Sequence, residues 1–455
     1  MLDDLADLPD LLDTTSRYAA SVLTGLPTRP VVRAAPVAPS PLPEAGIGFT
    51  GALDLFDRRW APGFSAAAGP RYLGFVTGGS TPASIAGDWL TSAFDQNPAA
   101  SDGSSAPDLE RETVRWLAAL FGLGEKHSGA FVSGATMSNL VGLAVAREWL
   151  GEQLGVSVAD EGVGALGPVR VHSGAAHSSV SKALSVLGLG RDSLRPVPTL
   201  PDREAIDVDR LADELDGTPA IVVANAGTVD TVDFDDLRAL VDLRSRKKFW
   251  LHVDAAFGGF AALSPRHAHL VDGLAEADSV CVDLHKWLNV PYDSAVQFTR
   301  RRDLQLKVFR NAAPYLGQPT DNPDFVHLTP ENSRRLRALA TWFTLTAYGR
   351  DGHRDVVERC TALARDLGDR IARTPTLRLL SPVLLNVVCF TLAHDPTRER
   401  VAEAAHRIAA TGDTFLTTTV HKGQPALRAA FSNWRTRPTD VTTVHNALTT
   451  ACADL

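Results

Sequence analysis

From about Gly79 onward the chain alternates short, almost wholly apolar runs with longer segments whose apolar residues recur at helical spacing. The runs fall at 129–133, 169–173, 220–224, 250–254, 279–283 and 295–299; helical candidates at 137–150, 178–187 and 235–245 lie between them. Such alternation predicts an α/β fold with a mostly parallel, doubly wound sheet covered on both faces. Two further helices are expected upstream, at 82–94 and at 108–122, the second presenting Leu109, Thr113, Trp116, Leu117 and Leu120 on one face. After Pro330 the pattern changes to helices at 331–348, stopped by Gly349, and at 352–373. Strand-like runs at 384–392 and 426–433 then flank a helix at 398–410, the outline of a smaller α+β C-terminal domain. Residues 1–24 read as an amphipathic helix with Leu2, Leu5, Leu8, Leu11 and Leu12 on one side. The proline-rich stretch at 26–43 favours extended backbone, either an arm laid over a surface or partner subunit, or a poorly ordered tail. The expected division is an N-terminal arm at 1–85, a large domain at 86–350 and a small domain at 351–455.

Composition narrows the function classes. At 455 residues with 44% hydrophobic content the chain can bury a large core, and a net charge of −8 argues against nucleic acid or an anionic membrane as partner. Four widely spaced cysteines make no CxxC pair, which disfavours a zinc ribbon, a redox motif or a disulfide framework. The start MLDDLADLPDLLD is acidic where a targeting peptide is basic, and no apolar run approaches the roughly 18 residues of a membrane span. A cytoplasmic protein is expected. Only seven lysines stand against 38 arginines, so each lysine can be weighed individually.

Open α/β sheets place ligands outside the carboxyl ends of their strands, so the residues following each run carry the chemistry. Asp254 ends the run in FWLHVDAAFGG; it reads as a helix cap or turn aspartate, or as an acid beside something packed on the small residues Ala255, Ala256, Gly258 and Gly259. Lys286, in CVDLHKWLNV, is a snorkelling terminus or a lysine covalently used. His177, in AAHSSVSKA, is a cap or core residue, or a flat ring offered to a ligand. In GAFVSGATMSNL a strand leads through a Gly-rich turn into a helix, where the N–H groups of Ala135 and Thr136 and the Thr136 hydroxyl make a phosphate seat. Phosphate seat, amine, carboxylate and flat imidazole are together the four demands of pyridoxal 5′-phosphate (PLP).

On these residues the sequence resembles the group II PLP-dependent amino-acid decarboxylases of fold type I, the aspartate-aminotransferase fold, which include aromatic-L-amino-acid and glutamate decarboxylases. PRYLGF, VSGATMSNL, AHSSVSKA, LHVDAAFGG, HKWLNVPYD and SRRLRALATWFTLTAYG carry the likeness from about Arg71 to Trp434. The resemblance implies PLP as cofactor, Lys286 as the Schiff-base lysine, Asp254 as partner of the pyridinium nitrogen and His177 stacked on the ring. It further implies Ala135, Thr136 and His285 near the phosphate, with Thr228 and Ala256 near the cofactor. Tyr315, in VFRNAAPYLGQ, stands where the family carries a mobile-loop tyrosine that protonates Cα. With Tyr315 and His177 both present, decarboxylation to an amine is expected over decarboxylation coupled to oxidative deamination, over transamination or C–C lysis, and over a cofactor-free scaffold. A homodimer is implied, in which residues 72–110 of one copy complete the other's site. That stretch contains Phe75, Thr81, Phe94, Asp95 and Asp102 but no lysine or arginine, which favours an aromatic over an acidic substrate. Arg334, Arg335 and Arg435 remain open as carboxylate ligands.

Overall fold

The computed structural model describes residues 2–32, 37–100, 103–311 and 322–455; Asp102 and Tyr315 lie outside them. Strands β1 (Ser128–Val132), β2 (Val171–Ser173), β3 (Leu194–Pro196), β4 (Ala220–Asn225), β5 (Phe249–Asp254), β6 (Ser279–Asp283) and β7 (Ala295–Thr299) form a seven-stranded sheet in the order β1-β7-β6-β5-β4-β2-β3. All pairings from β3 through β6 are parallel, whereas β7 runs antiparallel to both β6 and β1. Every residue of β4 to β7 is buried, as a sheet covered on both faces requires, which is why these segments read as unbroken apolar runs. One covering layer packs Leu143 and Leu150 of helix Ala135–Leu154 and Val180 and Leu184 of helix Ser178–Val186 against Val171, Ile221, Val223 and Trp250. β3 was not expected: three residues long, with Arg195 and Pro196 exposed, it is an edge strand with almost no apolar signal.

The chain divides into two units. One comprises Gly78–Ala362 with Pro382–Val387 and contains the seven-stranded sheet; the other comprises Met1–Thr77, Leu363–Ser381 and Val388–Leu455. In the second unit, β8 (Leu377–Leu379), β9 (Val387–Leu392), β10 (Thr417–His421) and β11 (Gln424–Ala430) form a sheet of order β10-β11-β9-β8, accompanied by helices Arg398–Ala410 and Pro438–Ala451. Residues before Gly78 join this unit through backbone pairing: Leu73 N–H donates to the Phe415 carbonyl, and Ala430 N–H donates to the Leu73 carbonyl. The N-terminal residues form helices Leu2–Ala6 and Leu8–Gly25, and the second buries none of its residues. Leu5, Leu8 and Leu12 remain 68%, 44% and 60% exposed, an apolar stripe uncovered by any of the described residues. No helix among the described residues is long and apolar enough to cross a membrane.

A helix was expected from 331, but the structure begins it at Ala338 and runs it to Ala372, broken only at Gly349, where φ is 59°. The preceding residues are pinned by arginine pairings instead. Arg334 donates two hydrogen bonds, at 2.9 and 2.7 Å, to Glu110, with side chains 1% and 0% exposed, while Glu110 also accepts Phe131 N–H. Arg337 forms a fork on Asp293. A wholly buried pair of this kind is costly to break, so Arg334 is a structural residue and unavailable to a substrate carboxylate.

Candidate active site

Sheet topology gathers the expected residues. β1, β2, β4, β5 and β6 point their carboxyl ends the same way, and at or just beyond those ends lie in turn Ala135, His177, Thr228, Asp254 and Lys286. Asp254 is the last residue of β5 and pairs across the sheet with Cys281 of β6, two residues before Asp283. Lys286 follows in the short helical turn Leu284–Trp287, its amine 3.8 Å from Asp283 Oδ2 and 5.5 Å over the ring of Phe257.

Asp254 and His177 belong to one directed hydrogen-bond chain. Ser179 N–H donates to Nδ1 of His177 at 3.2 Å, so Nδ1 is an acceptor and the neutral ring carries its proton on Nε2. The Ser179 hydroxyl, 2.7 Å from the same nitrogen, therefore donates as well, and its oxygen accepts from the Asn139 amide at 3.0 Å. That amide nitrogen also donates to Asp254 Oδ2 at 2.7 Å. Asn139 Oδ1 then accepts from His252 Nε2 at 2.9 Å; His252 Nδ1 accepts the Ser279 hydroxyl at 2.7 Å, and Ser279 accepts Trp250 Nε1–H. Burial drives the His252 ring down to about 4, consistent with this neutral form. Asn139, Ser179, His252 and Ser279 were not singled out from the sequence, since buried polar residues within apolar runs carry no local signature. His177 does cap helix Ser178–Val186, yet its ring stays exposed, so the capping reading and the ligand reading are compatible.

The second cluster surrounds the first N–H of helix Ala135–Leu154, which Asp283 Oδ2 accepts at 3.2 Å. His285 Nδ1 accepts Ser294 N–H at 3.3 Å, placing the ring proton on Nε2, 3.1 Å from Asp283 Oδ1. That contact is not aligned as a hydrogen bond, and Asp283 Oδ1 is buried without a partner. Burial, and then the Lys286 ammonium, hold His285 down at about 4, so the ring is neutral. Thr136 is exposed on the first turn of the same helix. A helix N-terminus, a neutral imidazole donor and a lysine fit the phosphate and aldehyde ends of PLP, and Asp254 fits its ring nitrogen.

Thr228 and the small residues after Asp254 also have internal partners. Thr228 is buried, and its hydroxyl donates to Glu204 Oε2 at 2.6 Å while accepting Asp233 N–H, which ties the turn after β4 to Glu204. Among the small residues after Asp254, Gly258 is packed from within: a Cβ on it would lie 2.0 Å from the Ala226 carbonyl oxygen. The β5 turn is small there because it rests on the β4 turn. Ala256 supports Asp254 directly: its N–H donates to Oδ1 at 3.2 Å.

Gly78, not singled out from the sequence, abuts the lysine. A Cβ built there would meet the Lys286 carbonyl oxygen at 1.7 Å, a distance that forces the backbone apart. Nearby, Thr81 N–H and the Ser84 hydroxyl donate to the Asn289 carbonyl, tying residues 78–84 to the loop after Lys286. Gly78→Ala is expected to lower the melting free energy by about 1–3 kcal/mol and cofactor affinity by at least about tenfold. Gly164→Ala, where a Cβ meets nothing within 4 Å, should change neither. Parallel melts and cofactor titrations check this; indistinguishable variants would remove Gly78 from the support of Lys286.

The profile of a family described as pyridoxal-dependent decarboxylase conserved domain matches residues 56–393. An aromatic-L-amino-acid decarboxylase of Bacillus atrophaeus is 30% identical over 388 residues, covering 81% of this chain and 78% of the relative. An L-2,4-diaminobutyrate decarboxylase of Acinetobacter baumannii is 30% identical over 308 residues, covering 63% and 59%. The crystal structure of Oryza sativa TDC with PLP and tryptamine superposes with a TM-score of 0.91 at 22% identity, covering 99% of this chain and 98% of that one.

Proposed function

Since the chain belongs to the pyridoxal-dependent decarboxylases and is a PLP-dependent carboxy-lyase, we propose that it converts an aromatic L-amino acid to the corresponding amine and CO2. The observation that carries the site assignment is the unbroken chain from Asp254 through Asn139 and Ser179 to His177, with Lys286 beyond the neighbouring strand. When bound, PLP supplies an aldehyde for the substrate amine and a cationic ring that takes up the electrons left as CO2 departs.

The protein's own residues do the rest. Lys286 anchors the cofactor and gives way to the substrate amine. Asp254, steadied by Asn139 and by Ala256 N–H, keeps a proton on the ring nitrogen. His177 offers a flat ring with its proton on Nε2, directed there by Ser179. Ala135, Thr136 and His285 receive the phosphate; Ala256 backs the ring, and Thr228 shapes the turn after β4. Tyr315 returns a proton to Cα.

The aromatic preference is supported by the absence of lysine and arginine from residues 72–110, and by Arg334 and Arg335 being engaged by Glu110 and Asp88. A homodimer is supported by the exposed stripe of Leu5, Leu8 and Leu12. The test is an amino-acid panel with amines identified by mass spectrometry and CO2, peroxide and ammonia measured together. Aromatic substrates should exceed glutamate and 2,4-diaminobutyrate in kcat/KM by at least about tenfold, without peroxide. A preference for either comparison substrate removes the aromatic assignment, and stoichiometric peroxide with an aldehyde replaces simple decarboxylation. Light scattering on the same sample should give twice the 48.6 kDa chain mass.

A further inference from the structure

Asp283 is a buried carboxyl group that the chemistry above leaves without a task. Its side chain is 3% exposed and lies where an anion would sit, with Oδ2 on the Ala135 N–H and 3.8 Å from the Lys286 amine. Oδ1 is buried and has no hydrogen bond. The groups that face it come from every neighbouring element. Lys286 and the neutral His285, itself acted on by Asp293, belong to the following turn and loop; Asp254 ends β5; Cys281, kept as a thiol by burial, precedes it on β6; and the N–H groups of Ala135 and His285 complete the set. A second anion delivered to the same helix N-terminus would meet a carboxylate across hydrogen-bond distance, an arrangement that repels unless one of the two carries a proton.

We propose that Asp283 is an acid in the phosphate seat: it holds a proton when the cofactor is bound, donates it from Oδ1 to a phosphate oxygen, and so makes cofactor loading take up one proton. This rests on the placement of the phosphate at Ala135 and Thr136 proposed above. The balance is simple, since the proton comes from solvent, no covalent bond is made by Asp283, and the orphaned oxygen becomes a hydrogen-bond donor. Burial raises the carboxyl to about 6, with Asp254 adding to the rise and Lys286 and the two N–H groups opposing it.

The sign follows. Below about pH 6 Asp283 already carries its proton before the cofactor arrives, so loading needs no uptake. Above it, the proton must be drawn from solvent, and affinity for the phosphorylated cofactor falls by about tenfold per pH unit relative to a chain lacking the acid. The experiment measures dissociation constants of PLP and of pyridoxal, which lacks the phosphate, for the full-length apoenzyme and for Asp283→Asn, from about pH 5.5 to about pH 8.5. Because each ligand's own titration is common to both proteins, the ratio of wild-type to variant constants isolates Asp283. For PLP that ratio should rise about tenfold per pH unit above about 6, and for pyridoxal it should stay flat. A flat ratio with PLP overturns the proposal, and so does an equal rise with pyridoxal, which would mean that Asp283 acts on the Lys286 amine.

Should Asp283→Asn fail to fold, proton uptake by the wild type is counted by calorimetry in buffers of different ionisation enthalpy. At about pH 8, PLP should draw close to one proton more than pyridoxal, and equal uptake overturns the proposal. Borohydride reduction of the loaded wild type separates the two levels of inference. If it labels a lysine other than Lys286, the site assignment fails and takes this proposal with it; if it labels Lys286 while the ratios stay flat, only Asp283 is reassigned.

Discussion

Lys286→Ala is expected to lose at least about 10³-fold in amine formation, and Lys286→Arg to lose as much. The arginine variant decides between explanations. If the lysine served only as a cation beside Asp283, 3.8 Å away, a guanidinium would preserve most of its effect. A guanidinium stays protonated and cannot form the bond to an aldehyde that a primary amine forms, so an inactive arginine variant points to covalent use. The measurement is single-turnover amine release by folded protein, checked by circular dichroism. Activity within about tenfold of wild type in either variant would end the assignment of Lys286.

Asp254→Asn is the second large effect: a loss of about 10²–10³-fold in kcat, with the cofactor retained and KM little changed. Asp254 is 6% exposed, and its oxygens are claimed by Asn139 Nδ2 and by Ala256 N–H, so the amide substitution alters charge with little change of shape. What disappears is the carboxylate that favours a proton on the ring nitrogen, where each pKa unit corresponds to about 1.4 kcal/mol. Loss of cofactor together with loss of rate would mean that Asp254 binds rather than activates, and an unchanged kcat would remove it from the chemistry altogether.

How much was legible beforehand depended on where the information lay. β6, β7 and the helices Pro82–Phe94 and Arg398–Ala410 occupy the residues that periodicity assigns them, because burial on both faces or on one stripe writes itself into consecutive residues. β3 carries no periodic signal and the residues before Ala338 carry a helical one that is not realised, because an edge strand and a buried Glu110–Arg334 pair are decided by partners far away in sequence. The same distinction runs through the site. Lys286, Asp254 and His177 each end or follow an apolar run, a position that announces itself. Asn139 sits inside an ordinary-looking helix, and Asp283 ends a run as Asp254 does, yet both acquire meaning only when the Asp254 carboxylate and the Ala135 N–H are brought beside them. Gly78 is a sharper case, since nothing near it in the chain foretells the Lys286 carbonyl that excludes any side chain there.

The reversed strand β7 gives the site something its parallel neighbours cannot. Its amino end, at Ala295, lies level with the carboxyl ends Val132 of β1 and Asp283 of β6. A strand presents its leading edge there instead of its trailing one, and Ser294, just before it, supplies both an N–H to His285 Nδ1 and a carbonyl that receives the N–H groups of Leu284 and His285. The polarity of a single strand thus selects the tautomer of a histidine in the turn after its neighbour β6, and with it the sign of the dipole that faces the helix beginning at Ala135.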